Sequence, residues 1–188
     1  YNGDVVIARP LTQCGGNRMP VSITAYYGAQ LSGVTARVGS HWRLSCDQCM
    51  NKSYINDELY FIWSKGDGDQ QYFKKPNSSA AYYEDLSGLS LKLTDNGTYT
   101  EIEDKGGTVM RFESPQDALD DTGRLLSITD SCGNTNTFQY GDWRLESITD
   151  GAGRVTQFTY SDKMLTGILA PGENAPVTLE YYNNRQLN

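Results

Sequence analysis

Apolar and polar residues alternate over short runs in the second half of the chain, and the runs repeat. The phrase GRLLSITDSCGNTNTFQY, residues 123–140, is followed by WRLESITDGAGRVTQFTY, residues 143–160, so equivalent positions lie 20 residues apart. The shared positions are Ile128, Asp130, Gly133, Phe138 and Tyr140 in the first phrase and Ile148, Asp150, Gly153, Phe158 and Tyr160 in the second. Each phrase consists of a short run, a turn and a second run, which predicts a β-hairpin.

The same spacing continues on both sides of the two phrases. Upstream it is kept by Ile102, Asp104, Gly107 and Phe112, and downstream, with one residue inserted in the loop, by Leu165, Ile168, Leu179 and Tyr181. The tail NNRQLN resembles the start of a further unit. A repeated supersecondary unit is therefore the dominant feature of the sequence.

The turn of each unit places an aspartate three residues ahead of a glycine. An aspartate can accept backbone N–H bonds at the first position of a type I turn, and glycine supplies the positive φ that closes a three-residue loop with a bulge. With that turn, alternate side chains lie on opposite faces of the sheet. The apolar face is predicted to hold Ile148, Phe158 and Tyr160, and the polar face Ser147, Thr149, Gln157 and Thr159.

A single two-stranded hairpin is only marginally stable in water, so neighbouring units must pair or stack to bury their aromatic face. We therefore predict an all-β fold, an array of antiparallel β-hairpins that forms an extended, twisted or curved sheet. One short helical insertion is predicted in ESPQDALDD, where Ser114 fits an N-cap and Pro115 the first helical position. The predicted division is a β-rich lead-in, residues 1–98, followed by the hairpin array, residues 99–188.

Composition agrees with this fold class and argues against two kinds of partner. The 188 residues include 13 Tyr and 19 Gly, a mixture that favours short strands joined by glycine turns. A net charge of -7 would repel phosphate backbones and anionic lipid, and no run reaches the roughly 18 apolar residues of a membrane-spanning helix. We expect neither nucleic acid binding nor membrane insertion. The opening YNGDVVIARP lacks the features of a signal peptide, so an export signal is expected upstream of it.

The repeated phrases resemble the YD-repeat family, also called RHS repeats, whose loose unit places Gly, Leu, Asp, Gly and Tyr in this order. Earlier stretches, GGNRMPVSITAYY, GSHWRLS and DGDQQYFKK, resemble the lead-in of secreted and wall-associated bacterial members, although His41, Cys46 and Cys49 depart from that pattern. The resemblance implies a long antiparallel sheet that spirals into a hollow shell around a C-terminal toxin or other cargo, or a similar scaffold for cell-surface adhesion. It also implies a secreted, cell-surface or cell-wall location.

Residues suited to catalysis are few. Asp104, Asp130 and Asp150 could serve as carboxylates for acid–base chemistry, but their shared place before a turn glycine favours capping. His41 is the only histidine and no serine stands in a G-x-S-x-G motif, so a catalytic triad has no basis in the sequence. We expect a protein that is not an enzyme and has no cofactor.

Cys46 and Cys49 form a C-x-x-C motif, which can hold zinc, form a disulfide or act in redox exchange. Zinc would need two more ligands, and only Cys14, Cys132 and His41 could supply them. No second paired motif is present, so free or disulfide-linked cysteines are favoured, and the pair remains a weak metal candidate.

Trp42, Trp63 and Trp143 could form a platform on which sugars stack, but the regular spacing of the aromatic residues favours inward packing. The leading hypothesis is a non-catalytic structural segment of a shell or surface scaffold that encapsulates or presents a C-terminal toxin or cargo domain. The alternative is a cell-surface adhesion or carbohydrate-binding module. Expected partners are neighbouring repeats, the cargo domain, a surface glycan or protein, and a second copy paired through exposed strand edges.

Overall fold

The computed structural model describes residues 6–116 and 122–182, and the regular structure within these ranges is β-strand. The strands are β1 (Ile7–Thr12), β2 (Ile23–Tyr27), β3 (Trp42–Leu44), β4 (Cys49–Ile55), β5 (Glu58–Ser64), β6 (Gln70–Lys74), β7 (Tyr83–Asp85), β8 (Lys92–Asp95), β9 (Tyr99–Glu103), β10 (Val109–Glu113), β11 (Gly123–Thr129), β12 (Thr135–Gly141), β13 (Arg144–Thr149), β14 (Val155–Ser161), β15 (Met164–Leu169) and β16 (Val177–Thr178). Their pairings are antiparallel. The prediction of an all-β, antiparallel fold is confirmed.

The helix predicted to begin at Ser114 falls mostly on residues 117–121, which lie outside the described residues. Ser114 and Pro115 themselves have irregular structure. The Ser114 hydroxyl donates a hydrogen bond of 2.8 Å to the Asp95 carboxylate. Within the described ranges, nothing forms a helix able to traverse a bilayer.

The chain forms two compact units, each described here by itself. Of the described residues, 6–47, 66–68 and 136–182 belong to unit 1, and 48–65, 69–116 and 122–135 belong to unit 2. The predicted boundary between residues 98 and 99 falls inside unit 2, between β8 and β9.

Unit 2 is an eight-stranded antiparallel barrel. Its strands pair in the order β10-β9-β8-β7-β6-β5-β4-β11, and β11 pairs again with β10, which closes the sheet. Arg124 of β11 lies opposite Cys49 of β4, and Leu125 lies opposite Phe112 of β10. The prediction of an extended, twisted or curved sheet is therefore wrong for residues 49–129, which form a barrel. Closure pairs the N–H and C=O groups that two free edge strands would leave exposed.

Side chains of suitable size fill this barrel. An eight-stranded barrel has an interior just wide enough to be filled by side chains. Phe61, Phe73 and Phe112 have no exposed surface, and burial of each phenyl group stabilises the fold by about 2 kcal/mol. Gly123 begins the closing strand, and a Cβ at this position would collide with the carbonyl of Glu113. Aromatic filling and one close backbone approach thus favour closure over a flat array.

Unit 1 contains a three-stranded sheet, β1-β2-β3, and a meander of five strands, β12 to β16 in chain order. The second repeated phrase lies wholly in the meander, whereas the first strand of the first phrase is β11, which belongs to unit 2. Its pairing shifts twice at equivalent positions, so that Glu146 in β13 and Thr166 in β15 are extra residues of a β-bulge. Because of the first bulge, Leu145 and Ile148 both lie on the buried face although they are three residues apart.

The side chains on the two faces of the meander differ both in exposure and in polarity. Leu145, Ile148, Leu165 and Ile168 have no exposed surface, and Phe138 and Phe158 are exposed by 7% and 5%. Tyr160 is half-buried. Partly or fully exposed positions on the opposite face are Ser147, Thr149, Gln157 and Thr159. The apolar side chains are therefore gathered on one face of these strands, which also buries the polar residues Asn136 and Thr156.

Candidate functional site

Three turns of the repeat share one hydrogen-bond pattern, and we call them the Asp turns (residues 104–108, 130–134 and 150–154). In each, Oδ1 of the aspartate accepts N–H bonds of 2.7–2.9 Å from the residues two and four positions further on. A glycine with a φ of 79–83° donates its N–H to the backbone carbonyl of the same aspartate. These glycines are Gly107, Gly133 and Gly153. Each carboxylate is thus engaged by the backbone of its own turn.

These bonds stabilise the charged form of the three aspartates. The backbone N–H of Thr108 is the main cause that lowers the pKa of Asp104. The Asn134 side chain is the main cause that lowers the pKa of Asp130. Burial acts to raise the pKa of Asp150, but hydrogen bonds from Arg154 and its positive charge outweigh burial, so the net pKa is lowered. A general acid that works near neutral pH needs a shift in the opposite direction.

The repeated tyrosines supply a second recurring polar contact. The Tyr160 hydroxyl donates to the carbonyl of Leu145 at 2.7 Å, and the Tyr181 hydroxyl donates to the carbonyl of Leu165 at 2.5 Å. Burial raises the pKa of both phenols, to about 12 in Tyr181. Both tyrosines therefore bind the first strand of their own repeat unit as neutral hydrogen-bond donors.

The remaining repeat positions are packing residues. Ile102 and Phe112 have no exposed surface in the barrel. Ile128 is half-buried in β11 opposite Met110, and Tyr140 is half-buried in β12. Within the described residues, these four side chains do not share a polar site.

The C-x-x-C motif consists of buried thiols. None of the four cysteines forms a disulfide, and Cys46 and Cys49 are exposed by 7% and 2%. Burial, followed by the charge of Asp47, raises the pKa of the Cys46 thiol. A protonated, buried thiol is a poor nucleophile and a poor metal ligand. Among the residues the structure describes, no three His, Cys, Asp or Glu side chains are grouped to hold a metal ion.

His41 is a loop residue with a φ of 67°. Its Nδ1 donates a hydrogen bond of 2.9 Å to the carbonyl of Ala29, and its ring meets Tyr27 edge-on at a centroid distance of 6.2 Å. Its backbone carbonyl accepts the N–H of Gly28 at 3.0 Å. These contacts hold the loop that joins β2 to β3.

A cleft of about 490 Å³ in unit 1, which we call the tip cleft, brings an aromatic ring and several charges together. Its lining includes Thr35, Arg37, Asp142, Trp143, Arg144 and Lys163. Three cations and one carboxylate make this lining net positive, although the whole chain carries a charge of -7. Arg37 also lines a second cleft of about 290 Å³, beside the hydroxyls of Ser32 and Ser40.

A buried aspartate fixes one wall of the tip cleft. Asp47 has no exposed surface, and its carboxylate accepts the backbone N–H groups of residues 34 and 35 at 2.7 and 2.9 Å. The backbone N–H of Leu145 donates to the carbonyl of Thr35 at 3.1 Å, and that of Leu165 donates to the carbonyl of Arg37 at 2.9 Å. The segment that carries Arg37 is therefore held against the first residues of β13 and β15.

Trp143 also lines the tip cleft, in the two-residue turn between β12 and β13. Asp142 and Trp143 have φ of 48° and 67°, as in a type I′ turn, and Trp143 is 71% exposed. A bulky residue at positive φ costs about 1 kcal/mol. Trp63 is buried, at 8% exposure, and Trp42 is half-buried. The predicted inward packing is therefore wrong for Trp143.

The next repeat contains the same kind of turn. Asp162 and Lys163 have φ of 47° and 70° between β14 and β15, and we call the two turns, residues 142–143 and 162–163, the tip turns. Neither has the glycine that marks a type I′ turn in a sequence, so the turn signals did not reveal them. The repeat period could have done so, because it places residues 143 and 163 at equivalent positions between two predicted strands.

No protein-family model and no curated protein matches this chain. The resemblance to YD repeats therefore rests on the repeated phrases and on the lead-in stretches of the sequence.

Proposed function

We propose that this chain is a non-catalytic structural segment of an RHS/YD-repeat protein, where it forms part of a β-shell or surface scaffold. The observation that carries the proposal is the threefold recurrence of the Asp turn. Each of its carboxylates binds two N–H groups of its own backbone and has a lowered pKa. Such a carboxylate suits the construction of a repeated hairpin and does not suit proton transfer.

The meander β12–β16 supports the shell part of the proposal. Strand β16 is the last in the strand order of the described sheet and pairs with β15 alone. Another hairpin can pair with its second edge, as each hairpin of a repeat array does with the next. In this proposal neighbouring repeats cover that edge, whereas the closed barrel β4–β11 pairs its own strands and takes no further hairpin. The whole protein then encloses or presents a C-terminal toxin or cargo domain outside the cell.

The proposal is tested by removing whole or partial repeats from the full-length protein. Deletion of residues 143–162 removes one period, so later strands keep their direction and their faces. Deletion of residues 143–152 removes half a period and moves every later turn to the opposite end of the sheet. A scaffold tolerates the first deletion and fails with the second, because repeat arrays are held together by contacts between adjacent repeats.

The readouts are secretion of the full-length protein, its melting temperature and the resistance of its C-terminal part to protease. We expect near-parental values after the full-period deletion and loss of all three after the half-period deletion. If both deletions are equally harmful, or if the full-period variant folds but loses a measurable turnover, the chain is more than a scaffold segment and the proposal is wrong.

A further inference from the structure

Trp143 is not explained by a scaffold role. It occupies the second position of a tip turn with a φ of 67°, where Gly or Asn is favoured, and it is 71% exposed. The equivalent residue of the next repeat is Lys163, so the turn does not require an aromatic ring. A strained conformation combined with an exposed large aromatic side chain is typical of a contact residue.

The cations of the tip cleft are available to an anion. Among the ion pairs of the described residues, none includes Arg37 or Lys163. Arg144 lies 3.7 Å from Asp142, whose side chain is 91% exposed, and an ion pair of this kind contributes little in water. The guanidinium carbon of Arg144 lies 5.5 Å from the centroid of the Tyr160 ring, a cation–π contact that orients the group. A ligand anion can therefore replace Asp142 at small cost.

The tip cleft is also preformed, and a second cleft lies beside Arg37. Arg37 is carried by the segment that Asp47 and the backbone of Leu165 hold in place. The clefts of about 490 and 290 Å³ share Arg37, and each alone is comparable to the smaller ligand sites of proteins. The hydroxyls of Ser32 and Ser40 add hydrogen-bonding groups along the smaller cleft. Such a site suits an extended, hydroxyl-rich ligand.

We propose that the tip cleft binds an anionic glycan, with one sugar ring stacked on Trp143 and its carboxylate or phosphate group bound by Arg37, Arg144 and Lys163. The C–H face of a sugar ring packs on an aromatic face. Guanidinium groups bind carboxylate and phosphate through paired hydrogen bonds, and the ammonium group adds a point charge. This recognition function goes beyond the scaffold role and does not depend on it.

A glycan fits the tip cleft better than a single-stranded nucleic acid does. Nucleic acid sites also combine aromatic stacking with cations, but they follow the backbone through a positively charged groove over about 4 nucleotides or more. Here the positive charge is confined to three side chains, on a chain whose net charge is -7. Repulsion from the rest of the surface disfavours a polyphosphate and affects a ligand with few charges much less.

The test is calorimetric titration of the protein with four probes at low and at physiological ionic strength. The probes are tetragalacturonate, its neutral methyl ester, a phosphorylated mannose oligosaccharide and an oligothymidylate. The variants are Trp143→Asn and Arg37→Ala. The matched controls are Tyr54→Asn, which removes an aromatic residue that is 64% exposed in the barrel, and Lys105→Ala, which removes an exposed cation. Thermal melts of all variants accompany the titrations.

We expect at least one anionic glycan to bind about tenfold more tightly than the neutral ester. Its affinity should fall as the salt concentration is raised. Trp143→Asn and Arg37→Ala should each weaken binding by about tenfold or more without lowering the melting temperature, while both controls bind like the parent. A preference for carboxylate or for phosphate identifies the anionic group and supports the proposal. If Trp143→Asn does not fold, Trp143→Tyr, which keeps an aromatic face, should retain most of the affinity.

Three results would overturn the proposal. The first is the absence of binding to both anionic glycans. The second is binding that the Trp143 and Arg37 variants leave unchanged, because the ligand would then lie elsewhere. The third is tighter binding of the oligothymidylate than of either anionic glycan. None of these results bears on the Asp turns. The scaffold proposal is tested separately, by the deletion experiment.

Discussion

The two ends of the meander's hairpins are built in different ways. At one end the Asp150 carboxylate is buried, accepts two N–H bonds of 2.9 Å and pairs with the Arg154 guanidinium at 2.7 Å. At the other end the Asp142 side chain is 91% exposed and Trp143 is 71% exposed, in a turn where both residues have positive φ. Side-chain chemistry is used to build the Asp turn and is free to vary at the tip turn. An array of this kind can keep its fold while recognition residues change at one end.

The largest expected effect separates the two ends directly. Asp150→Ala leaves the backbone N–H groups of Ala152 and Arg154 without their acceptor and removes the partner of the Arg154 side chain. We expect the free energy of unfolding, measured with urea, to fall by about 3 kcal/mol.

Asp142→Ala is the matched control, because it removes the same side chain from the exposed end. It should change the free energy of unfolding by less than about 0.5 kcal/mol. Equal losses for the two variants would mean that the Asp turn and the tip turn contribute alike, and the contrast between the ends would be lost.

The next effect concerns a contact that joins the two strands of one repeat, β13 and β14. Tyr160→Phe deletes the hydroxyl that donates to the Leu145 carbonyl and should cost about 1 kcal/mol at neutral pH. Because burial raises the pKa of Tyr160 and Tyr181, the unfolded chain ionises first near the ordinary tyrosine pKa of about 10. The stability contributed by the neutral phenols is therefore complete below about pH 10 and is lost as pH rises through about 12, where Tyr181 ionises in the fold.

Urea unfolding between neutral pH and pH 12 measures this effect. The parent should lose stability steeply above about pH 10, and Tyr160→Phe should show a shallower decline from a lower starting value. Tyr182→Phe is the control, since Tyr182 directly follows Tyr181 in the chain and is 59% exposed. Parallel curves for the parent and the Tyr160 variant would show that this phenol does not titrate differently in the folded chain.

Local signals in the sequence were sufficient for the hairpins and insufficient for their assembly. The spacing of Asp150 and Gly153 specifies a turn within four residues, and the alternation of apolar residues identifies the buried face. These two signals were enough to predict an all-β, antiparallel fold. Barrel closure depends on the pairing of Arg124 with Cys49, and no local pattern specifies a partner so distant in the chain. The prediction that Trp143 packs inward was wrong because residue spacing predicts which face of a strand a side chain lies on. Trp143 lies outside the strands, in the turn between β12 and β13.

The smallest expected effect would sharpen the contrast between the ends, because here stability and recognition should move in opposite directions. Trp143→Asn places a residue that tolerates positive φ at a position with a φ of 67°, and it removes an exposed ring. We expect the free energy of unfolding to rise by about 0.5 kcal/mol. Lys163→Asn, at a φ of 70° in the equivalent turn, should give a gain of similar size, since both substitutions relieve the same backbone strain. A loss of more than about 1 kcal/mol for Trp143→Asn alone would mean that the indole ring supports the fold through packing at the tip cleft, and its exposure could then no longer be attributed to a ligand.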